Sequence, residues 1–312
     1  MRHYLSLKDI DSLNDWVAEA RDLKKNPSSS KELGRDKTIG LLFFNNSLRT
    51  RLSTQKAAMN LGMDVIVMNF GSEGWSLEYT DGTIMDQGAA EHVKEAAQVV
   101  SQYCDIIGIR AFSSLINKED DEAELVLSNF AKYASVPVVN MESSVGHPLQ
   151  ALADAITISE HSMAQKPKVV LSWAPHPKAL PQAVANSFVE MMQMLEADFI
   201  ITHPEGYDLN PEITKNCSIE HDQEKALRNA DFVYVKNWSS YSSYGKVLTE
   251  NLEWMITKEK LGNAKFMHCL PVRRNVVVED AVLDSEHSLV IEQANNRTFA
   301  AQVVLKKILE EN

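Results

Sequence analysis

Short apolar runs recur along this chain, each bounded by polar or turn-forming residues. In the first half they are Ile39–Phe44, Val65–Asn69, Ile106–Ile109 and Pro137–Asn140. In the second they are Lys168–Trp173, Phe199–Thr202, Phe232–Val235, Lys265–His268 and Leu289–Ile291. Runs of this kind are strand-like, and Ile39–Phe44 in particular reads as a buried strand. Between them Thr54–Leu61, His92–Tyr103, Glu122–Tyr133 and Ala183–Met194 have helix composition. Such alternation predicts α/β architecture with parallel sheets.

Four of these strands precede Gly146-His147-Pro148 and five follow it. The expected organisation is therefore two parallel-sheet α/β domains joined by helices, spanning residues 1–148 and 149–291. The joining helix runs from Leu149 to Ser159. A last helix, Phe299–Glu311, lies in a segment, 292–312, expected to pack back on the first domain. The length of 312 residues agrees with two cores, since single cores stop growing well before that size.

The richest local pattern follows the first strand: Phe43-Phe44-Asn45-Asn46-Ser47-Leu48-Arg49-Thr50-Arg51. Two Asn break the strand, and Ser47 is the expected N-cap of the next helix. Leu48, Leu52 and Met59 share one side of that helix and are expected to be its buried face. A helix N-terminus presents backbone N–H groups and the positive end of its dipole. Hydroxyls from Ser47 and Thr50 and guanidiniums from Arg49 and Arg51 would complete a phosphate pocket. The alternative is a capped helix with a solvated basic face.

The net charge of −12 sharpens that reading. It argues against nucleic-acid and anionic-membrane partners, so a small anion must be met by locally concentrated positive charge. No apolar run approaches the ~20 residues of a membrane span. The first residues lack a signal-peptide core. The three cysteines, Cys104, Cys217 and Cys269, are widely spaced, which suits reduced thiols and a cytoplasmic setting. No Gly-x-Gly-x-x-Gly occurs, which argues against a dinucleotide enzyme.

Further candidates sit at strand ends, where open α/β sheets bind ligands. Arg110 ends Asp105-Ile-Ile-Gly-Ile-Arg110 as either a second cation for the anion or a salt-bridged surface residue. Glu142 follows the next strand. His147 and Gln150, three apart, can share a helix face. Cys269, in Met267-His268-Cys269-Leu270-Pro271, is either a nucleophile or a buried structural thiol. Arg273 and Arg274 follow. Trp75 lies in a loop with Gly71 and Gly74, and pattern alone favours packing against its own domain. The loop Trp173-Ala-Pro-His176-Pro-Lys-Ala-Leu-Pro181 must be stiff and extended, either as a turn or as a pocket wall.

Taken together, these residues resemble the transcarbamylase family. Ser47-Leu48-Arg49-Thr50 resembles its Ser-x-Arg-Thr carbamoyl-phosphate motif, His147-Pro-Leu-Gln150 its His-Pro-x-Gln motif, and His268-Cys-Leu-Pro271 the ornithine-type His-Cys-Leu-Pro. The Asp-x-x-x-Ser-Met-Gly loop of ordinary ornithine carbamoyltransferases is not found. The proline-rich loop and Lys236-Asn-Trp238 resemble instead the branch acting on N-acetyl- or N-succinylornithine.

The resemblance implies carbamoyl transfer from carbamoyl phosphate to the side-chain amine of an acylated ornithine in arginine biosynthesis, with no metal or organic cofactor. It implies a homotrimer, with Trp75 reaching a neighbouring subunit's site, and a knotted second domain. Ser47, Leu48, Arg49, Thr50, Trp75, Arg110, His147, Gln150, Cys269, Leu270 and Arg297 would serve carbamoyl phosphate. Of these, Thr50, Arg110, His147 and Cys269 would be catalytic. Glu142, His176, Lys236 and Arg273 would contact the acylornithine. Ala90 occupies a position resembling the acyl selector, which is proline in succinyl-type and glutamate in acetyl-type sequences. Alanine imposes no charge repulsion on a second carboxylate, so N-succinyl-L-ornithine is the expected acceptor, with N-acetyl-L-ornithine the alternative. A non-catalytic ligand-binding paralogue is the rival from another class.

Overall fold

The computed structural model describes residues 2–249 and 251–311. The chain forms two compact units, one comprising the residues up to Leu149 and those from Arg297 onward, the other Gln150–Asn296. Both crossings fall inside helices, Pro148–His161 and Val290–Glu311. The return to the first unit thus begins part-way along the last helix rather than at residue 292. Each unit is built on a parallel sheet.

In the first unit, strands β1 (Thr38–Phe43), β2 (Asp64–Asn69), β3 (Ile106–Ala111) and β4 (Val138–Ser143) lie in the order β2-β1-β3-β4. β1 is almost wholly buried, as an apolar run in a covered parallel sheet should be. Leu42, Ile107, Ile109 and Val138 pack with Val93, Leu127 and Phe130 from flanking helices into one core. Each such side chain contributes about 1.5–3 kcal/mol by burial. Gly40 lets β1 pass close to Cys104, since a Cβ there would lie 2.6 Å from the Cys104 sulfur. The N-terminal segment covers the outer edge of β4, where the Tyr4 N–H donates to the Val138 carbonyl at 2.9 Å and the Tyr4 carbonyl accepts from the Asn140 N–H at 2.8 Å. That protects an edge otherwise open to pairing.

Register sets up the site. Phe43 pairs with Asn69 on one side and Arg110 on the other, and Arg110 pairs with Glu142 after a break in register. Asn69, Phe43, Arg110 and Glu142 therefore form one row across the carboxyl end of the sheet.

In the second unit, β5 (Lys168–Ala174), β6 (Asp198–Thr202), β7 (Ser218–Glu220), β8 (Phe232–Asn237) and β9 (Lys265–Met267) take the order β9-β8-β5-β6-β7. Val170, Val233, Val235, Phe266 and Val278 are among its core residues. Here one strand is unanticipated and one expected strand is absent. Ser218–Glu220 is an edge strand too short and polar to register as an apolar run. Leu289–Ile291 is not a strand: Leu289 donates to the Phe266 carbonyl at 2.9 Å, and a helix begins at Val290. One ladder contact precedes that helix, and its β-branched first residues mimic a strand.

Candidate active site

Past β1, the Asn45-Asn46 break braces Arg110. The Asn45 side-chain oxygen accepts from the Phe112 N–H at 2.9 Å, and the Asn45 and Asn46 carbonyls accept from Arg110 Nη1 at 3.3 and 2.6 Å. The next helix, Arg49–Asn60, starts with Leu48 at the N-cap and no side-chain capping bond. Ser47 is therefore not the cap; it sits one residue too early. An uncapped first turn keeps its N–H groups available for an anion. Beside it is a cavity of about 530 Å³ lined by Asn46, Ser47, Leu48, Arg51, Asn69 and Ser72. Arg51 lies 5.0 Å over the Phe43 ring and donates to the Asn69 side-chain oxygen.

The helix buries the opposite face from the one expected. Leu48, Leu52 and Met59 are 64%, 58% and 60% exposed. Thr50, Thr54, Ala57 and Ala58 are buried instead, a small-residue stripe at helical spacing that lets the helix lie close to its unit.

Arg110 and Glu142 form a nearly buried ion pair: Nε and Nη2 both reach Glu142 Oε2, at 2.9 and 2.8 Å. Behind them Arg297, from the last helix, donates through Nη2 to Thr50 Oγ1 at 2.6 Å and reaches His147 Nε2 at 3.2 Å. A guanidinium can only donate, so His147 Nε2 accepts and the neutral ring carries its proton on Nδ1. Thr50, His147 and Arg297 are all buried. Arg49 is half-buried at the helix start.

Trp75 contradicts the pattern-based expectation that it packs against its own domain. Its ring is 58% exposed and held at one end, where Nε1 donates to Glu91 Oε2 at 2.8 Å. A short parallel pairing of Leu77–Glu78 with Glu91–His92 fixes this loop. Ala90, exposed, donates its N–H to the Ser76 carbonyl at 3.1 Å.

In the second unit Gln150 opens a buried polar relay. Its Nε2 donates to Asp154 Oδ1 at 2.7 Å, the same oxygen accepts from Gln293 Nε2 at 2.6 Å, and Gln293 Oε1 accepts from the His268 N–H at 2.9 Å. The relay thus fixes the backbone next to Cys269. Lys236, at the end of β8, places Nζ 3.3 Å from Cys269 Sγ. Leu270 adopts a φ of +58°, a left-handed conformation that L side chains enter only at a cost.

The proline-rich loop and the segment after Cys269 meet at His176 and Arg273. Arg273 Nε donates to His176 Nε2 at 3.1 Å, so the ring proton sits on Nδ1, 2.7 Å from the Lys178 carbonyl. Burial, with the nearby cations Arg273, Lys236 and Lys178, holds this histidine below its ordinary pKa despite the Lys178 contact. Both residues line a cavity of about 630 Å³ whose walls include Pro175, Trp238, Leu248 and Val276. Arg274 faces elsewhere: it pairs with Asp284 at 2.7 Å and Asp280 at 2.9 Å, and these carboxylates raise its pKa.

The first unit can hold an anion, and the second presents an amphipathic pocket with an adjacent lysine and thiol. A model described as the carbamoyl-phosphate-binding domain of aspartate/ornithine carbamoyltransferase matches residues 2–160, and its aspartate/ornithine-binding counterpart matches residues 181–308. The chain belongs to this family. It is a carbamoyltransferase. It is 48% identical to the N-succinylornithine carbamoyltransferase of Bacteroides thetaiotaomicron, over 99% of both chains. It is 35% identical to the N-acetylornithine carbamoyltransferase of Xanthomonas axonopodis pv. citri, over 98% of this chain and 96% of that one. Among solved structures it resembles a glutamate-to-alanine variant of N-acetyl-L-ornithine transcarbamylase complexed with carbamyl phosphate and N-succinyl-L-norvaline. There the TM-score is 0.92 and identity 34%, covering 99% of this chain and 100% of that one.

Of the residues marked for this carbamoyltransferase, Ser47, Leu48, Arg49, Thr50, Trp75, Ala90, Arg110, Glu142, His147 and Arg297 lie in the first unit. Gln150, His176, Lys236, Cys269, Leu270 and Arg273 lie in the second. Asn45, Asp154 and Gln293 were not singled out. Asp154 carried a signal, an acid within the apolar helical run Leu152-Ala-Asp-Ala-Ile156; a buried acid needs partners.

Proposed function

We propose that this carbamoyltransferase moves the carbamoyl group of carbamoyl phosphate to the side-chain amine of N-succinyl-L-ornithine, giving N-succinyl-L-citrulline and phosphate. The observation that carries the acyl choice is Ala90, a small uncharged residue in the Trp75–Glu91 loop. A glutamate there would repel a succinyl carboxylate. The 48% identity to an N-succinylornithine enzyme speaks for the same acceptor. So does the related acetylornithine enzyme that, with a glutamate changed to alanine, is complexed with a succinyl ligand.

In this reading the Arg49–Asn60 helix start, with Ser47, Arg49, Thr50 and Arg110, neutralises the phosphate so that it can leave. Thr50, Arg110 and His147 polarise the carbamoyl oxygen as it gains charge. The amine nitrogen bonds to the carbamoyl carbon and loses a proton. The carbon–oxygen bond to phosphate breaks, and phosphate departs with the electron pair. The His176–Arg273 pocket receives the acyl end, and Lys236 adds charge for its carboxylate. The half-exposed Trp75 and the 81% exposed Ile84 suit a homotrimer in which this loop meets a neighbouring subunit. The test is phosphate release with N-succinylornithine, N-acetylornithine and ornithine as acceptors. A higher kcat/KM for acetylornithine would overturn the succinyl assignment, and turnover of ornithine alone would overturn acyl specificity.

A further inference from the structure

One wall of the 630 Å³ pocket is formed by Val247, Leu248 and Thr249. The described backbone between Asn237 and Leu252 belongs to no helix or strand, so no ladder holds this wall. Val247 and Leu248 are 37% and 44% exposed. Position must come from individual anchors, and these converge on the turn at residues 206–208.

Tyr207 is the centre of that turn. Its ring is fully buried and stacks on Trp238, with centroids 4.8 Å apart and planes at 26°. Its hydroxyl oxygen accepts the backbone N–H of Leu248 at 2.6 Å and of Thr249 at 3.1 Å. Its carbonyl accepts from Trp173 Nε1 at 3.0 Å. On one side the Gly206 carbonyl accepts from Ser240 Oγ at 2.6 Å, and on the other the Asp208 carbonyl accepts from the Tyr241 N–H at 2.9 Å. Gly206 has φ +85°, and a Cβ there would lie 3.2 Å from Leu248 Cδ1. One side chain thus ties the pocket's Trp238 to its Leu248–Thr249 wall without lining the pocket itself.

We propose that Tyr207 is a positioning residue for the amine acceptor: its hydroxyl fixes the Leu248–Thr249 wall against which the acylated ornithine is bound. This rests on the reading of that pocket as the acylornithine site. Tyr207 touches no reacting atom, so its effect belongs to acceptor binding and not to the chemical step. Holding a wall in its bound position lowers the ordering cost on binding.

Tyr207→Phe keeps the ring and its stack on Trp238 but removes the acceptor for two N–H groups. KM for the acylornithine should rise about tenfold, with kcat and KM for carbamoyl phosphate within about twofold. Amide exchange at Leu248 and Thr249 should quicken by about tenfold. Gly206→Ala strains the same turn and crowds Leu248, so it should raise the acceptor KM in the same selective way. Faster exchange with an unmoved acceptor KM would overturn the proposal, as would equal losses in all kinetic constants. Failure of the unsubstituted protein to use either acylated ornithine would sink the functional reading first, and this inference with it. A normal unsubstituted enzyme with an unresponsive variant would sink only this inference.

Discussion

Glu142 faces Arg110 because the register between β3 and β4 breaks. Ile109 pairs with Asn140, yet Arg110 pairs with Glu142, so Met141 is passed over. Continuous register would set Met141 opposite Arg110 and turn the carboxylate to the other face. The bulge re-aims one side chain, a common device near sites. Breaking a buried pair costs ~3–5 kcal/mol, and the side chains are only 11% and 14% exposed. Glu142→Ala should therefore lower stability by an amount near the bottom of that range, with a clear loss of activity. Glu142→Gln keeps one acceptor and should lose less. Chemical denaturation checks this, and equal midpoints for all three proteins would dismiss the pair as a support.

Arg297 reaches both Thr50 and His147 through one nitrogen. A lysine keeps the charge but not the planar fork. Arg297→Lys should reduce kcat/KM for carbamoyl phosphate by roughly tenfold or more, the equivalent of ~1.5–3 kcal/mol for charge-assisted contacts. Arg49→Ala should do likewise, weakening carbamoyl phosphate binding and slowing transfer together. Steady-state kinetics with carbamoyl phosphate varied is the check. Folded variants with parental kinetics would leave both arginines with structural roles only.

The parallel-sheet architecture was legible because buried strands and their flanking helices leave apolar runs of different length. Local competition was not legible. Val290 and Ile291 look like a strand by β-branching, but one bridge to Phe266 is all the sheet takes before the helix begins. Leu48, Leu52 and Met59 have the spacing of a buried face, yet the Thr50–Thr54–Ala57–Ala58 face is smaller and lies inward. Hydrophobicity alone cannot rank two stripes when close approach favours small side chains. The motif residues around Ser47, His147 and Cys269 stood out by composition and order. Asn45, Gln293 and Tyr207 did not, because their work is to accept or relay hydrogen bonds set by tertiary position.

His176 should give acceptor binding a pH dependence of known sign. Its folded pKa is lowered from 6.5 chiefly by burial, with cations adding to the shift. Below the ordinary value the unfolded chain binds the proton more readily than the folded one. Its contribution to stability is thus fully present above about 6.5 and is lost as pH falls through the lowered folded value. Protonation would also fill Nε2, the atom that accepts from Arg273. KM for the acylornithine should rise as pH drops through that region. His176→Gln, which retains an acceptor but cannot titrate, should flatten the rise. An identical pH profile in the variant would assign the dependence to another group.

Ala90 offers the sharpest test of the proposed acyl choice, because the two candidate acceptors differ by one carboxymethylene group and its negative charge. It is exposed and tied through its backbone to Ser76, beside the Trp75–Glu91 contact. A longer side chain therefore fits without disturbing a core. Ala90→Glu would add a negative charge next to the existing Glu91, and together they would oppose a succinyl carboxylate far more than a neutral acetyl group. Two like charges about 4 Å apart cost ~1 kcal/mol in bulk water and ~4 kcal/mol at an effective dielectric of 20. The ratio of kcat/KM for N-succinylornithine over N-acetylornithine should accordingly fall by roughly tenfold or more. Ala90→Gln, of the same size without the charge, should move the ratio much less. If glutamine and glutamate shift it equally, bulk and not charge governs the site. If neither shifts it, Ala90 has no part in selecting the acyl group.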